Sequence, residues 1–218
     1  MKNLIIFFLV VAMVYACDNN KEPDEETIVE IKDESPAQRD STLITDTSWG
    51  LITKTTDIVA LKKIYGRANV KDESICGPEC ADTIKVTTLF RNTPKQIIVY
   101  WEDSAYHKRV MMAEASIDGS PYHTADGIKV GSKLSDLLKV NGKRIVFNGF
   151  GWDYGGIVTS FNDGKLGNSS LNIHLDLVEH TGQNELYGDR ELHTDMPLVK
   201  QNLDKIIIST LTKAFLNH

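Results

Sequence analysis

Two stretches of the chain, GLITKTTDIVALKKIYG (50–66) and GIKVGSKLSDLLKVNG (127–142), share one pattern, and each is followed by runs of strand character. With one residue of gap, Ile58, Leu61 and Ile64 align with Leu134, Leu137 and Val140, and both stretches end in glycine, Gly66 and Gly142. Apolar residues three apart form one face of a short helix, Thr56 and Ser132 stand where a side chain can cap its start, and a left-handed glycine ends it. After the first helix come TIKVTTLF (83–90), QIIVYWE (96–102) and RVMMAEASI (109–117), divided by Asn92-Thr93-Pro94 and Asp103-Ser104. After the second come RIVFNGFGWDY (144–154), GIVTSF (156–161), SLNIHLDLV (170–178) and KIIISTLTKAF (205–215). The Asn162-Asp163-Gly164 turn predicts a hairpin between the 156–161 and 170–178 runs. Consecutive strands with short connections pair antiparallel, and the helices then bury their stripes on one face of the sheet. The pattern predicts an α+β chain of two tandem helix-plus-strands units, 46–125 and 126–218.

Residues 1–17, MKNLIIFFLVVAMVYAC, carry one positive charge at Lys2, an apolar run from Leu4 to Val14, and small Ala16 beside Cys17. This is the layout of a secretory signal, and the run is too short to span a bilayer. Val14-Tyr15-Ala16-Cys17 resembles the lipobox of bacterial lipoproteins, which implies that Cys17 is lipidated and becomes the new N-terminus. The same residues also suit an ordinary signal peptide cut nearby. Each buried methylene contributes about 0.8 kcal/mol, so two or three acyl chains at Cys17 make attachment to the membrane effectively permanent.

From Asp18 to Asp40 nine acidic residues face three basic ones, a net of 3 minus 9, or -6, which equals the formal charge of the whole chain. Low hydrophobicity with like charges makes 18–45 an acidic, disordered tether, with a reach on the order of 75 Å when extended. Acidic residues after the lipidated cysteine resemble the export signals of surface lipoproteins in Bacteroidota; a plain spacer inside the periplasm fits equally. The rest of the chain is close to neutral and shows no basic stripe, which argues against nucleic acid as a partner.

Beyond Cys17 the cysteines are Cys76 and Cys80, in CGPEC. In an exported protein this spacing predicts a disulfide rather than a metal pair or a C-x-x-C redox site. The helix-then-strands arrangement resembles the β-lactamase-inhibitor-protein-like fold, also seen in the SmpA/OmlA outer-membrane lipoproteins. From about Thr55 to Leu166, with LKKIYGRANV, SPYHTADGIKVGSKLSDLLKVNG and FNGFGWDYGG, the chain also resembles a group of uncharacterised Bacteroidota lipoproteins. Neither resemblance implies catalytic residues.

The stretch GFGWDYGG (149–156) is the densest group of glycines and aromatics. Read as one strand, 144–154 places Ile145, Phe147, Gly149, Gly151 and Asp153 on one face and Asn148, Phe150, Trp152 and Tyr154 on the other. The first row reads as core, with glycines that let a helix approach; the aromatics then stand on an open face. A bulge at Gly149 or Gly151 would instead turn the aromatics inward. In SLNIHLDLV, Leu171, Ile173, Leu175 and Leu177 point inward, and His174 and Asp176 point outward, joining Phe150, Trp152 and Tyr154 as a candidate binding surface. Tyr100 and Trp101 face opposite ways, one core and one partly exposed.

His107, His123, His180 and His193 with Asp195 offer no H-x-x-x-H pair, so no metal is expected. No serine stands in a G-x-S-x-G elbow, and GFGWDYGG does not lead from a strand into a helix as a dinucleotide loop must. The sequence therefore predicts an exported, lipid-anchored envelope protein, non-enzymatic and without a cofactor, that binds or assembles with another envelope protein. The alternative is a surface lipoprotein that binds glycans.

Overall fold

The apolar spacing at 50–66 and 127–142 does produce helices. The structure, a computed structural model, describes residues 40–77, 80, 82–179 and 184–215; the signal segment, Cys17, the tether up to residue 39 and His180 lie outside the described residues. Helix α1 runs Ile58–Tyr65 and α2 Leu134–Asn141. Their caps differ from the expected ones, because both helices start later than the pattern suggests. The Ala60 amide donates to Asp57 Oδ1 (2.7 Å), while Thr56 Oγ1 accepts from the Thr53 amide (2.9 Å). Ser132 Oγ accepts from the Lys129 amide, and Lys133, at the N-cap of α2, makes no side-chain capping bond. Both helices end at the expected glycine, at φ 83° for Gly66 and 69° for Gly142. Leu61, Leu134 and Leu137 are buried, whereas Ile64 stays 42% exposed at the last turn of α1.

The first half of the chain builds two short strands, β1 (Leu43–Ile44) and β2 (Ser48–Trp49), then β3 (Ile52–Thr53) and a meander of β4 (Val70–Cys76), β5 (Thr83–Leu89), β6 (Ile97–Trp101) and β7 (Val110–Ala115). β8 (His123–Thr124) joins β1 in parallel, giving a small sheet of order β3-β2-β1-β8. β4 escapes sequence reading because VKDESIC has few apolar residues. Its charges, Lys71, Asp72 and Glu73, suit a sheet edge, where they discourage pairing with another chain. The Cys76–Cys80 disulfide closes the end of the β4–β5 hairpin, with Cα atoms 4.8 Å apart.

The second half supplies β9 (Val146–Asn148), β10 (Val158–Ser160), β11 (Leu171–Leu177), β12 (Glu191–His193) and β13 (Ile206–Ala214). Helix α3 (Pro197–Asn202) lies between the last two, with proline in its first turn, where the missing N–H costs nothing. β11 and β13 complete a six-stranded antiparallel sheet of order β11-β13-β7-β6-β5-β4. Strands from either side of residue 125 thus share one sheet, and residues 40–215 form one compact unit.

Three expected features are corrected. The last residues of the expected 18–45 tether are ordered, because Leu43 and Ile44 pair with β2 and β8 and Ile44 is buried in the core. The 144–154 strand stops at Asn148, and β9 pairs with β10 and β12 in a separate three-stranded sheet. The 156–161 and 170–178 runs form no hairpin: β11 pairs along its length with β13, and only the Ile157–His174 bridge joins the two runs. β13 offers β11 a long apolar face, so the distant pairing displaces the local one.

The core gathers on one face of the large sheet. Leu89, Ile97, Val99, Ala113, Leu211, Ile173 and Leu175 meet Leu61, Leu134, Leu137 and Val199 of the helices there, together with Trp49, Phe147 and Phe150.

Candidate functional site on the outer sheet face

Strand alternation turns every second side chain of the six-stranded sheet away from that core. Lys71, Thr88, Ile98, Glu114, Thr212 and Asn172 stand opposite one another in a single row across all six strands. Beside it Glu73, Val86, Tyr100 and Met112 form a second row, and His174 faces Thr210 at the β11 end. Val86 and Thr88 are buried, whereas Ile98, Tyr100, Met112, Glu114 and Thr212 are half-buried. Glu114 is the hub: its Oε2 accepts from Tyr100 Oη (3.3 Å) and from Thr212 Oγ1 (3.4 Å).

Burial pushes the Glu114 carboxyl above the usual carboxylate range, against the opposing effect of its hydrogen bonds and of His174. Burial, with the neighbouring Glu114, likewise raises the Tyr100 hydroxyl. A carboxyl that holds its proton more tightly folded than unfolded favours the fold at low pH. That margin is lost as pH rises above the ordinary carboxylate value and through the folded one. Glu114→Gln keeps an acceptor for Tyr100 and Thr212 and removes the charge. Its melting temperature should therefore exceed wild type at pH 7–8 and converge with it towards pH 4; a difference that does not change with pH would contradict this.

The residues singled out in the sequence separate. Phe150 is 3% exposed and packs against Phe147 and Tyr187, with centroids 5.8 and 6.4 Å apart. It belongs to the core, so the three-ring row on an open strand face does not exist. Trp152 is half-buried and donates its indole N–H to the Gly149 carbonyl (2.8 Å). Tyr154 is 51% exposed and stands edge-on to Trp152, 5.5 Å between centroids. Both rings lie in a turn rather than a strand. The close approach that Gly149 permits is to an irregular segment, not a helix: a methyl there would meet the Gly188 carbonyl at 2.6 Å. The Gly149 and Phe150 amides donate to the Arg190 and Leu186 carbonyls (2.8 Å each).

His174 is half-buried and its Nε2 is hydrogen-bonded to the Gly155 carbonyl, so that nitrogen carries the proton. This contact, with the Leu175 amide donating to the Gly156 carbonyl (2.8 Å), seats the GFGWDYGG turn against the β11 edge. Asp176 is exposed, and its Oδ1 accepts from the Leu177 amide. Tyr100 and Trp101 divide as expected, with Trp101 buried and donating to Thr87 Oγ1 (2.9 Å).

Sequence reasoning missed Ile98, Met112, Glu114 and Thr212. Their signal is present as alternation in QIIVYWE and RVMMAEASI, but only the cross-strand register shows that they meet. Among the described residues no helix is long and apolar enough to cross a membrane, and no group of three or more histidine, cysteine and acidic side chains converges as metal ligands.

No protein-family model matches the chain, and no curated protein is significantly similar to it. Among solved structures, it is similar to the crystal structure of the uncharacterized protein yfeY from Escherichia coli. The identity is 11% over 79% of this chain and 99% of that one, with a TM-score of 0.44.

Proposed function

We propose that this chain is an envelope lipoprotein, anchored through Cys17 and the acidic tether that follows it up to residue 39, that holds another envelope protein on the outer face of its six-stranded sheet. The observation that carries this reading is the patch of Ile98, Tyr100 and Met112 around Glu114, half-buried on the face turned away from the core. Tyr100 and Met112 are of the residue types enriched at protein interfaces, and Glu114 between them and Thr212 keeps its carboxyl hydrogen-bonded. The glycan reading has less support: with Phe150 in the core and the Trp152 indole N–H engaged, the aromatic platform reduces to Tyr154.

A photo-crosslinking residue placed at position 98 or 112 in intact cells should trap one protein adduct of defined size. The same residue at exposed position 139 of α2 should trap none. Equal labelling at all three positions would sink the reading. Retention on polysaccharide that Tyr154→Ala abolishes would favour the glycan alternative. Cys17→Ser should move the chain from the membrane fraction to the soluble fraction.

A further inference from the structure

Among the described residues Lys213 is the only charged side chain that is fully buried, at 1% exposure. It projects from the inner face of β13, level with Ala113 and Leu171 on the neighbouring strands. Its Nζ donates to the Asp46 carbonyl (2.6 Å) and is hydrogen-bonded to Ser170 Oγ, and the Phe215 ring lies 5.6 Å from it. No described carboxylate stands within ion-pair distance. A buried ammonium without a counterion is costly, and the neutral amine relieves that cost. Burial accordingly holds the Lys213 pKa below that of an ordinary lysine, against a smaller opposing effect of Asp46.

Lys213 Nζ donates to the Asp46 carbonyl and to Ser170 Oγ. Loss of one proton would free a lone pair towards the Ser170 hydroxyl, with the Asp46 carbonyl still holding the amine, which would place a base on a nucleophile and an orienting group on the base. Ser170 lines a cleft with Ile44, Asp46, Thr124, Leu166, Ser169 and Leu171. One donor there has no hydrogen-bond partner among the described residues, the buried Ser169 hydroxyl. A donor left free beside a nucleophile can meet the negative charge that develops on a carbonyl oxygen. The apolar side chains of the cleft would receive an apolar acyl group.

We propose that Ser170 and Lys213 form a nucleophile–base pair that hydrolyses esters with an apolar acyl group, on the sheet face opposite the partner surface and independently of it. Ser170 Oγ bonds to the ester carbonyl carbon as its proton passes to Lys213 Nζ. The tetrahedral intermediate then expels the alcohol, which takes that proton. Water, giving a proton to Lys213, attacks the acyl-serine, releases the carboxylic acid and restores the Ser170 hydroxyl.

The full chain is treated with an alkyl fluorophosphonate and the adduct located by mass spectrometry. The expected result is one adduct at Ser170, formed faster as pH rises and Lys213 loses its proton, and hydrolysis of p-nitrophenyl butyrate that the reagent abolishes. Ser170→Ala should remove both. Lys213→Met should slow labelling by roughly 10²-fold or more. Should Lys213→Met fail to fold, Ser170→Ala and the wild-type pH profile decide, since Ser170→Ala removes only one half-buried hydroxyl. A folded wild-type chain that gives no adduct, an adduct at another residue, or a labelling rate indifferent to pH overturns the proposal.

Discussion

Phe150→Ala should lower the free energy of unfolding by about 3–5 kcal/mol, whereas Tyr154→Ala, four residues on, should change it by less than about 0.5 kcal/mol. The two rings belong to the same eight-residue stretch but sit in different surroundings. Phe150 fills space between Phe147 and Tyr187, and its backbone is pinned at both groups, the amide to the Leu186 carbonyl and the carbonyl to the Gly188 amide (2.9 Å). Removing the ring leaves a cavity that neighbours held by hydrogen bonds cannot easily collapse to fill. Tyr154 meets Trp152 in an edge-to-face contact and leaves half its surface in water. Urea denaturation of the two variants, compared by midpoint at constant slope, makes the measurement. Equal losses would mean that Tyr154 is as much a part of the core as Phe150, and the exposed edge assigned to the turn would be wrong.

Gly156→Ala should cost about 2–5 kcal/mol through left-handed backbone strain and overpacking together. Gly156 has φ 77°, a conformation that a β-carbon disfavours, and the added methyl would collide with the Leu175 carbonyl oxygen and press on His174 Cδ2 at 2.9 Å. Neither neighbour can retreat freely, since Leu175 is held in the β11–β13 ladder and His174 is hydrogen-bonded to the Gly155 carbonyl. The strain should therefore be relieved by lifting the turn away from β11. Hydrogen exchange offers a direct test, because the Leu175 amide donates to Gly156 and should lose protection while β13 amides keep theirs. Unchanged protection at Leu175 with unchanged stability would show that the turn does not depend on this close contact.

These two positions show where sequence reading succeeded and where it stopped. GFGWDYGG announced a place where backbone must bend or approach closely, and Gly149 and Gly156 do that. The same eight residues also invited a single alternating strand, which would have lined up Phe150, Trp152 and Tyr154. β9 ends at Asn148 because the backbone leaves the β12 register at Phe150, whose amide bonds to Leu186 and which bridges Tyr187 in parallel, some forty positions away. No local pattern contains that instruction. β4 was illegible for a related reason: an edge strand needs one apolar face at most, and its charges look like a loop. His174 and Asp176 do alternate with buried Ile173 and Leu175 along β11, because the extra residue at the register shift lies in β13 and leaves the alternation of SLNIHLDLV intact.

By itself the sequence determined the elements whose side chains repeat with a period: helices α1 and α2 with their glycine ends, strands β5, β6, β7, β11 and β13, and the Cys76–Cys80 pairing across a short turn. Such patterns are local, because helix and strand geometry act over a few residues. Only the tertiary structure decided which strands share a sheet, and so which outward side chains become neighbours. It set Glu114 between Tyr100 and Thr212, put Phe150 inside while leaving Tyr154 outside, and brought Ser170 to Lys213 across 43 positions of chain. Those meetings depend on long-range pairing, where the burial of a whole apolar face outweighs the preference of any short segment.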